Sequence, residues 1–183
     1  MSLKYAILGL LSFKPQTGYE IKANFNQTIR YLWNSDQAQI YRVLSEMTKE
    51  GLAIPKIFQQ DGRPNKKVYE ITKAGIDELQ KWLSIPLPPK SQRNPELLQI
   101  FFSGQISNED ILINLNRERN NLLSMMHVLV SVGTSSELFD SKNTTSKVNL
   151  FFKSTLELGI RTAKLNIEWI DELIKKVESG EFT

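Results

Sequence analysis

The chain has 183 residues, of which 40% are hydrophobic and 23% charged, the balance of a folded protein rather than a disordered one. It holds no cysteine and a single histidine, His127, which excludes disulfides, thiolate chemistry and a multi-histidine metal site. Residues 1–90 carry 13 basic and 8 acidic side chains and residues 91–183 carry 10 and 12, so any attraction for a polyanion belongs to the front half.

The longest apolar run, Tyr5 to Leu11, is far short of the roughly 20 residues of a membrane helix. No signal peptide is legible, and a cytoplasmic protein without membrane contact is expected. Leu3, Ala6, Ile7, Leu10 and Leu11 predict a first helix, stopped by Pro15. Thr17-Gly18-Tyr19-Glu20 has the form of a capping box, in which a threonine hydroxyl and a glutamate three residues on satisfy each other's backbone amides. Tyr19, Ile21, Phe25 and Ile29 supply the stripe of that second helix. A third helix follows Asn34-Ser35-Asp36-Gln37, with Asn34 or Ser35 as its cap. Ile40, Val43, Leu44 and Met47 form its apolar face, and Gly51 ends it.

The period then changes. Leu52 to Gln60, interrupted by Pro55, and Lys67 to Thr72 read as two strands of a hairpin around the turn-rich Asp61-Gly62-Arg63-Pro64-Asn65, with Pro55 requiring an edge position. A fourth helix, Lys73 to Leu83, uses Ile76, Leu79, Trp82 and Leu83. The stretch Ser84 to Arg93 contains three prolines and coincides with the charge shift, which predicts domains at 1–85 and 94–183 joined by a linker at 86–93.

After the linker, Asn94-Pro95-Glu96 starts a short helix with Leu97, Leu98, Phe101 and Phe102 as its face. A longer helix from Ser107 carries Ile111, Leu115, Leu122, Met126 and Leu129, with His127 on its surface. Gly133 to Thr145 reads as a loop. The last helix runs from about Lys147 to Val177. Along it Leu156, Ile160, Ala163, Ile167, Ile170, Ile174 and Val177 recur at alternating steps of four and three, the seam of a helix that packs along another. A second row, Leu158, Leu165, Trp169 and Leu173, widens the apolar face. Two other helices in this half are too little to cover both rows, so the seam is expected to form a homodimer interface.

The fold class expected is mostly α with a small two-stranded β wing: a winged helix-turn-helix domain followed by an all-α dimerisation domain. Such a domain sets its third helix in the major groove of DNA and lays the hairpin along the phosphates. With the apolar face turned inward, Gln37, Ala38, Tyr41, Arg42 and Ser45 lie outward. Glutamine can bond adenine edges and arginine guanine or phosphate. Ser35 and Gln39 flank the helix start, although Gln39 can equally point toward the second helix. Arg63, Lys66 and Lys67 make the wing basic, and Tyr19 and Lys22 on the second helix complete the DNA-binding set. No phosphate loop or nucleophile elbow is present, which argues against an enzyme, and neither cofactor nor metal is implied.

Ile7-Leu8-Gly9-Leu10-Leu11, Thr17-Gly18-Tyr19-Glu20-Ile21, Gln39-Ile40-Tyr41-Arg42-Val43-Leu44, Glu50-Gly51-Leu52, and Gly62 through Gly75 with Leu79 and Trp82-Leu83 resemble the PadR family of bacterial transcriptional regulators. The resemblance covers residues 3–83. The back half is similar to the helical C-terminal domain of longer PadR proteins, shared with virulence activators. The family implies a homodimer, a double-stranded operator and usually repression, often relieved by small molecules such as phenolic acids. Trp33, Phe151 and Trp169 are candidates for an effector pocket, Trp33 reading first as a packing residue. The competing reading is a winged-helix module that binds a protein instead of DNA, which the basic wing and the polar outer helix face disfavour.

Overall fold

A computed structural model describes residues 2–30, 32–59, 65–88, 94–135 and 146–180. They form two compact units, divided between Leu87 and Pro88.

The first unit contains α1 (Ser2–Leu11), β1 (Gln16–Thr17), α2 (Gly18–Thr28), α3 (Gln37–Lys49), β2 (Ala53–Phe58), β3 (Lys66–Ile71) and α4 (Lys73–Ser84). Ile7, Leu8, Leu10 and Leu11 of α1 are buried with Ile21 and Phe25 of α2 and Ile40, Leu44 and Met47 of α3. Fully burying one such side chain is worth about 1.5–3 kcal/mol, so this trihelical core fixes how α3 is presented. Tyr19 departs from the expected stripe of α2 and is 74% exposed. At about 100° per residue it lies nearly opposite Ile21, and the buried set is Gly18, Ile21, Phe25 and Thr28. Leu83 of α4 is likewise exposed, whereas Trp82 stacks on Tyr5 with ring centroids 4.6 Å apart.

The sheet has three strands rather than two, in the order β1-β3-β2, all antiparallel. Gln16 pairs with Tyr69 and Thr17 with Val68. Pro55 sits on the outer strand β2 opposite Tyr69, where its missing N–H costs no ladder bond. Gln16 is fully buried; its amide nitrogen donates to the Leu10 carbonyl at 2.7 Å and its oxygen accepts from Asn24 at 2.5 Å. That one side chain ties the end of α1 and the middle of α2 to the added strand.

The exit from α3 is a Schellman turn. Gly51 has φ +71°, its N–H donates to the Thr48 carbonyl at 3.2 Å, and the Leu52 N–H donates to the Met47 carbonyl at 2.9 Å. Thr72 then caps α4 through the Gly75 amide, while its own N–H donates to the Leu52 carbonyl. This brings α4 so close that a Cβ on Gly75 would stand 2.2 Å from the Leu52 carbonyl oxygen.

The second unit contains α5 (Pro95–Phe101), a 3-10 turn (Ser103–Gln105), α6 (Asn108–Ser135) and α7 (Ser146–Ser179). Asn94 caps α5 through the Leu97 amide at 2.8 Å, and Ser107 caps α6 through the Asp110 amide at 3.1 Å. The helix α6 continues through Gly133 to Ser135, where a loop was expected; residues 136–145 of that loop lie outside the described residues. Arg119 pairs with Asp171 at 2.5 Å, and a Cβ on Gly133 would lie 3.0 Å from Leu156, so α6 and α7 run antiparallel.

This corrects the assignment of the heptad seam. Leu156, Ala163, Ile167, Ile170 and Val177 are buried within the single chain, and Ile160 and Ile174 are partly buried. The covering residues include Ile111 and Leu115 of α6 and Ile100 of α5. An α6 of 28 residues reaches about 42 Å at ~1.5 Å per residue, enough to follow one row along its length. The second row is only partly covered: Leu173 packs against the core of this unit, whereas Leu158, Leu165 and Trp169 are exposed. On α5, Leu97, Leu98, Phe101 and Phe102 are exposed too, against the expected inward face.

The two glycines at the extremes of crowding make opposite forecasts. Gly75→Ala should lower the melting temperature, at a cost of at least about 1–3 kcal/mol, because backbone must move to admit the methyl group. Gly9→Ala, inside α1 with open space at its Cβ, should raise it by roughly 0.5–1 kcal/mol of helix propensity. Paired thermal melts check both.

Candidate nucleic-acid interface

The outer surface of the first unit is assembled from the start of α2, the whole of α3 and strand β3. Asp36, rather than Asn34 or Ser35, caps α3: its carboxylate accepts the Gln39 amide at 2.7 Å. Gln39 answers with its side-chain oxygen, which accepts from the Asp36 amide at 3.4 Å and from the Ser35 hydroxyl at 2.9 Å. An acidic N-cap also suits the positive end of the helix dipole. The Lys22 ammonium donates to the Ser35 carbonyl at 2.7 Å, bracing the turn before α3 from α2. Ser35, Gln39 and Lys22 therefore all take part in holding the helix start, and Ser35 is itself buried.

From that start Gln37, Ala38, Tyr41, Arg42 and Ser45 face solvent. Arg42 forms no ion pair among the described residues. Tyr41 is 41% exposed, and its ring lies across Gly18 at the start of α2. Neither the Gly18 seat nor the Asp36 cap was read from the sequence. A glycine at the first position of a helix carries no local mark of what will press on it, and Asn34, Ser35 and Asp36 are all good caps.

On the wing, Lys66 pairs with Glu20 at 3.5 Å, and the Lys67 ammonium stands 5.2 Å from the centre of the Tyr69 ring. Lys56 pairs with Glu70 across β2 and β3. The Thr17-Glu20 box closes as its spacing predicts: the Thr17 amide donates to Glu20 at 2.7 Å and the Glu20 amide donates to the Thr17 hydroxyl at 3.1 Å. The Thr17 amide holds the Glu20 carboxyl below the ordinary range; burial, next in size, opposes it, and the Thr17 hydroxyl and Lys66 add to the lowering. Arg63, the third basic wing residue, lies outside the described residues.

In the second unit a cavity of about 240 Å3 is lined by Leu97, Ile100, Leu122, Trp169 and Ile170, with Glu118 among its polar walls. Phe151 is exposed near the other end of α7 and does not line this cavity; Trp33 is an exposed residue of the first unit. Among the described residues no group of three or more histidine, aspartate or glutamate side chains is arranged to hold a metal, and no helix is long and apolar enough to cross a membrane.

Residues 7–81 match the Transcriptional regulator PadR-like family and residues 92–178 match Virulence activator alpha C-term. The chain is 27% identical over 191 residues to the Mycobacterium tuberculosis protein named Probable transcriptional regulator Rv1176c, covering 97% of this chain and 98% of that one. It is 33% identical over 109 residues to the Negative transcriptional regulator PadR of Bacillus subtilis, covering 59% and 60% of the two chains. The structure of Bacillus subtilis PadR in complex with operator DNA superposes with a TM-score of 0.81 at 24% identity, covering 97% of this chain and 99% of that one. Its structure with p-coumaric acid superposes at 0.74 and 23%, covering 97% and 99%.

The box at Glu20 has a pH signature. Its folded pKa is depressed, so the stabilisation is present above the unfolded value and lost as pH falls through the folded one. Glu20→Gln should therefore melt below the wild type at neutral pH, with the gap complete above about pH 5 and closing below about pH 4. Melts across that range, at one ionic strength, check the sign.

Proposed function

The chain belongs to the PadR-like family of transcriptional regulators, and we propose that it acts as a homodimeric repressor that reads a pseudo-palindromic operator in double-stranded DNA. The observation that carries this reading is the outer face of α3, where Gln37, Tyr41 and Arg42 are exposed beside a wing whose cations include Lys66 and Lys67. Gln37, Tyr41 and Arg42 contact base edges and phosphates of the major groove; Lys66, Lys67 and Arg63 neutralise phosphates along the wing. Tyr19, fully outward at the start of α2, adds a backbone contact. Lys22, Ser35 and Gln39 serve the interface chiefly by holding the start of α3, with the free side of Gln39 facing the duplex. Work on DNA puts the protein with the chromosome in the cytoplasm.

A palindrome needs two copies, and the copy-to-copy surface we assign is the second row of α7, Leu158, Leu165 and Trp169. These side chains are exposed while the first row is spent within the chain, and an apolar stripe of that length favours a partner helix. A small-molecule response is assigned to the second unit's cavity beside Trp169, where Leu97, Ile100, Leu122 and Ile170 offer apolar contact and Asn94, Glu96, Glu118 and Asn166 offer polar partners for a compact aromatic ligand. Bacillus subtilis PadR, whose structures include complexes with operator DNA and with p-coumaric acid, supports both parts of the proposal.

For DNA reading, a duplex recovered by the wild type from a random-sequence library is the probe. Alanine at Gln37 or Arg42 should cost about 1–3 kcal/mol on it. Alanine at Lys66 or Lys67 should reduce the slope of log affinity against log salt by about 0.9 each, on selected and unselected duplexes alike. Recovery of no preferred duplex by the wild type would overturn the reading.

For assembly, sedimentation should give twice the single-chain 21.0 kDa. Leu158→Asp with Leu165→Asp should return it to one copy with helicity kept, since unpaired buried charge costs roughly 3–5 kcal/mol. Ile167→Asp with Ile170→Asp should instead unfold the second unit.

A further inference from the structure

Gly18 has no backbone reason to be glycine. Positive φ among the described glycines is confined to Gly51 and Gly180, so Gly18 sits in ordinary helical geometry that any residue adopts. It opens α2, is buried, and follows a threonine that already completes the cap. A glycine in a helix carries an entropic cost relative to alanine. What demands it is space: a Cβ at this position would stand 2.5 Å from Cε1, 2.7 Å from Cζ and 2.9 Å from the hydroxyl oxygen of Tyr41.

The two crowded glycines of this unit differ in what they meet. Gly75 faces the backbone carbonyl of Leu52, which cannot retreat without moving a strand, whereas the three atoms nearest a Cβ on Gly18 all belong to the far end of the Tyr41 side chain. Tyr41 stands on the outer face of α3 with solvent beside it. A methyl group at position 18 can be accommodated by swinging that ring outward, leaving the core of Ile21, Phe25, Ile40 and Leu44 untouched. The seat at Gly18 thus holds in one place a side chain that would otherwise sample several rotamers.

We propose that Gly18 is a specificity-determining positioning residue: the space it leaves orients Tyr41 on the recognition surface, and through Tyr41 it governs which duplexes the protein prefers. This rests on the DNA-reading function proposed above. Gly18 touches no DNA itself. Its effect is confined to the preference carried by Tyr41, while the phosphate contacts of the wing continue unchanged.

The test is a double-mutant cycle on the full chain with Gly18→Ala, Tyr41→Ala and both together. The probes are a duplex selected by the wild type from a random library and an unselected duplex of equal length. Gly18→Ala should melt within about 4 °C of wild type, bind the unselected duplex equally, and bind the selected one about tenfold or more weakly, the loss of one base contact. The double variant should bind as Tyr41→Ala does. Wild-type affinity of Gly18→Ala for the selected duplex would overturn the proposal, as would losses that simply add in the double variant. A Gly18→Ala protein melting far below wild type would overturn it too, because the clash would then have been absorbed by the fold rather than by Tyr41. If the wild type selects no duplex, DNA reading fails and this inference with it; normal selection with an indifferent Gly18→Ala defeats the inference alone.

Discussion

Thr17 is the point on which the first unit turns. Its backbone extends β1 against Val68 of the wing strand, its hydroxyl and amide close the cap of α2 with Glu20, and the next residue is the glycine under Tyr41. Each part is individually modest, since a cap is worth about 0.5–2 kcal/mol. Together they set three elements in one register: the start of α2, the outer face of α3 and the wing. Glu20 extends the same arrangement to Lys66, and Lys22, two residues further, braces the turn before α3. Within six consecutive residues, Thr17 to Lys22, every element of the proposed DNA-reading surface has an anchor.

The charges on that surface divide into those engaged within the chain and those left outward. Lys66 is shared with Glu20, Lys56 with Glu70, and Lys67 leans over Tyr69, while Arg42 is unpaired among the described residues. Exposed ion pairs of this kind contribute about 0–1 kcal/mol. Their value lies in orientation: they keep long side chains near one place, at a strength that a phosphate can displace. Away from this surface, Glu78 accepts from both Lys4 and Tyr5, and this pair of bonds depresses its carboxyl while fastening α4 to α1.

In the second unit the deciding constraint is area. The helix α7 is apolar on two rows, and α6 runs antiparallel to it along one of them, leaving Leu158, Leu165 and Trp169 outward. That outward row is the surface assigned to the second copy in the proposed dimer. The row with the regular heptad proved to be the inner one. Alternating steps of four and three describe a helix that follows another helix, and the same spacing serves a neighbour within the chain as well as one from a second copy.

What the sequence determined by itself was governed by near neighbours, although the choice of Asp36 among three adjacent caps and the outward turn of Tyr19, also local, were not part of it. The order of elements, the Thr17-Glu20 box, the Gly51 exit, the edge position of Pro55 and the outward set Gln37, Tyr41 and Arg42 follow from spacing, caps and period, which are local. What only the tertiary structure decided depends on contacts between segments far apart in the chain. A two-residue strand such as Gln16–Thr17 has no period to read and exists because β3 passes beside it. The Gly18 seat, the Gly75 approach to Leu52 and the bond from Lys22 to the Ser35 carbonyl are meetings of distant backbone and side chain. The choice of which α7 row is covered was likewise made by α6, since periodicity tells which residues share a face but not what that face will touch.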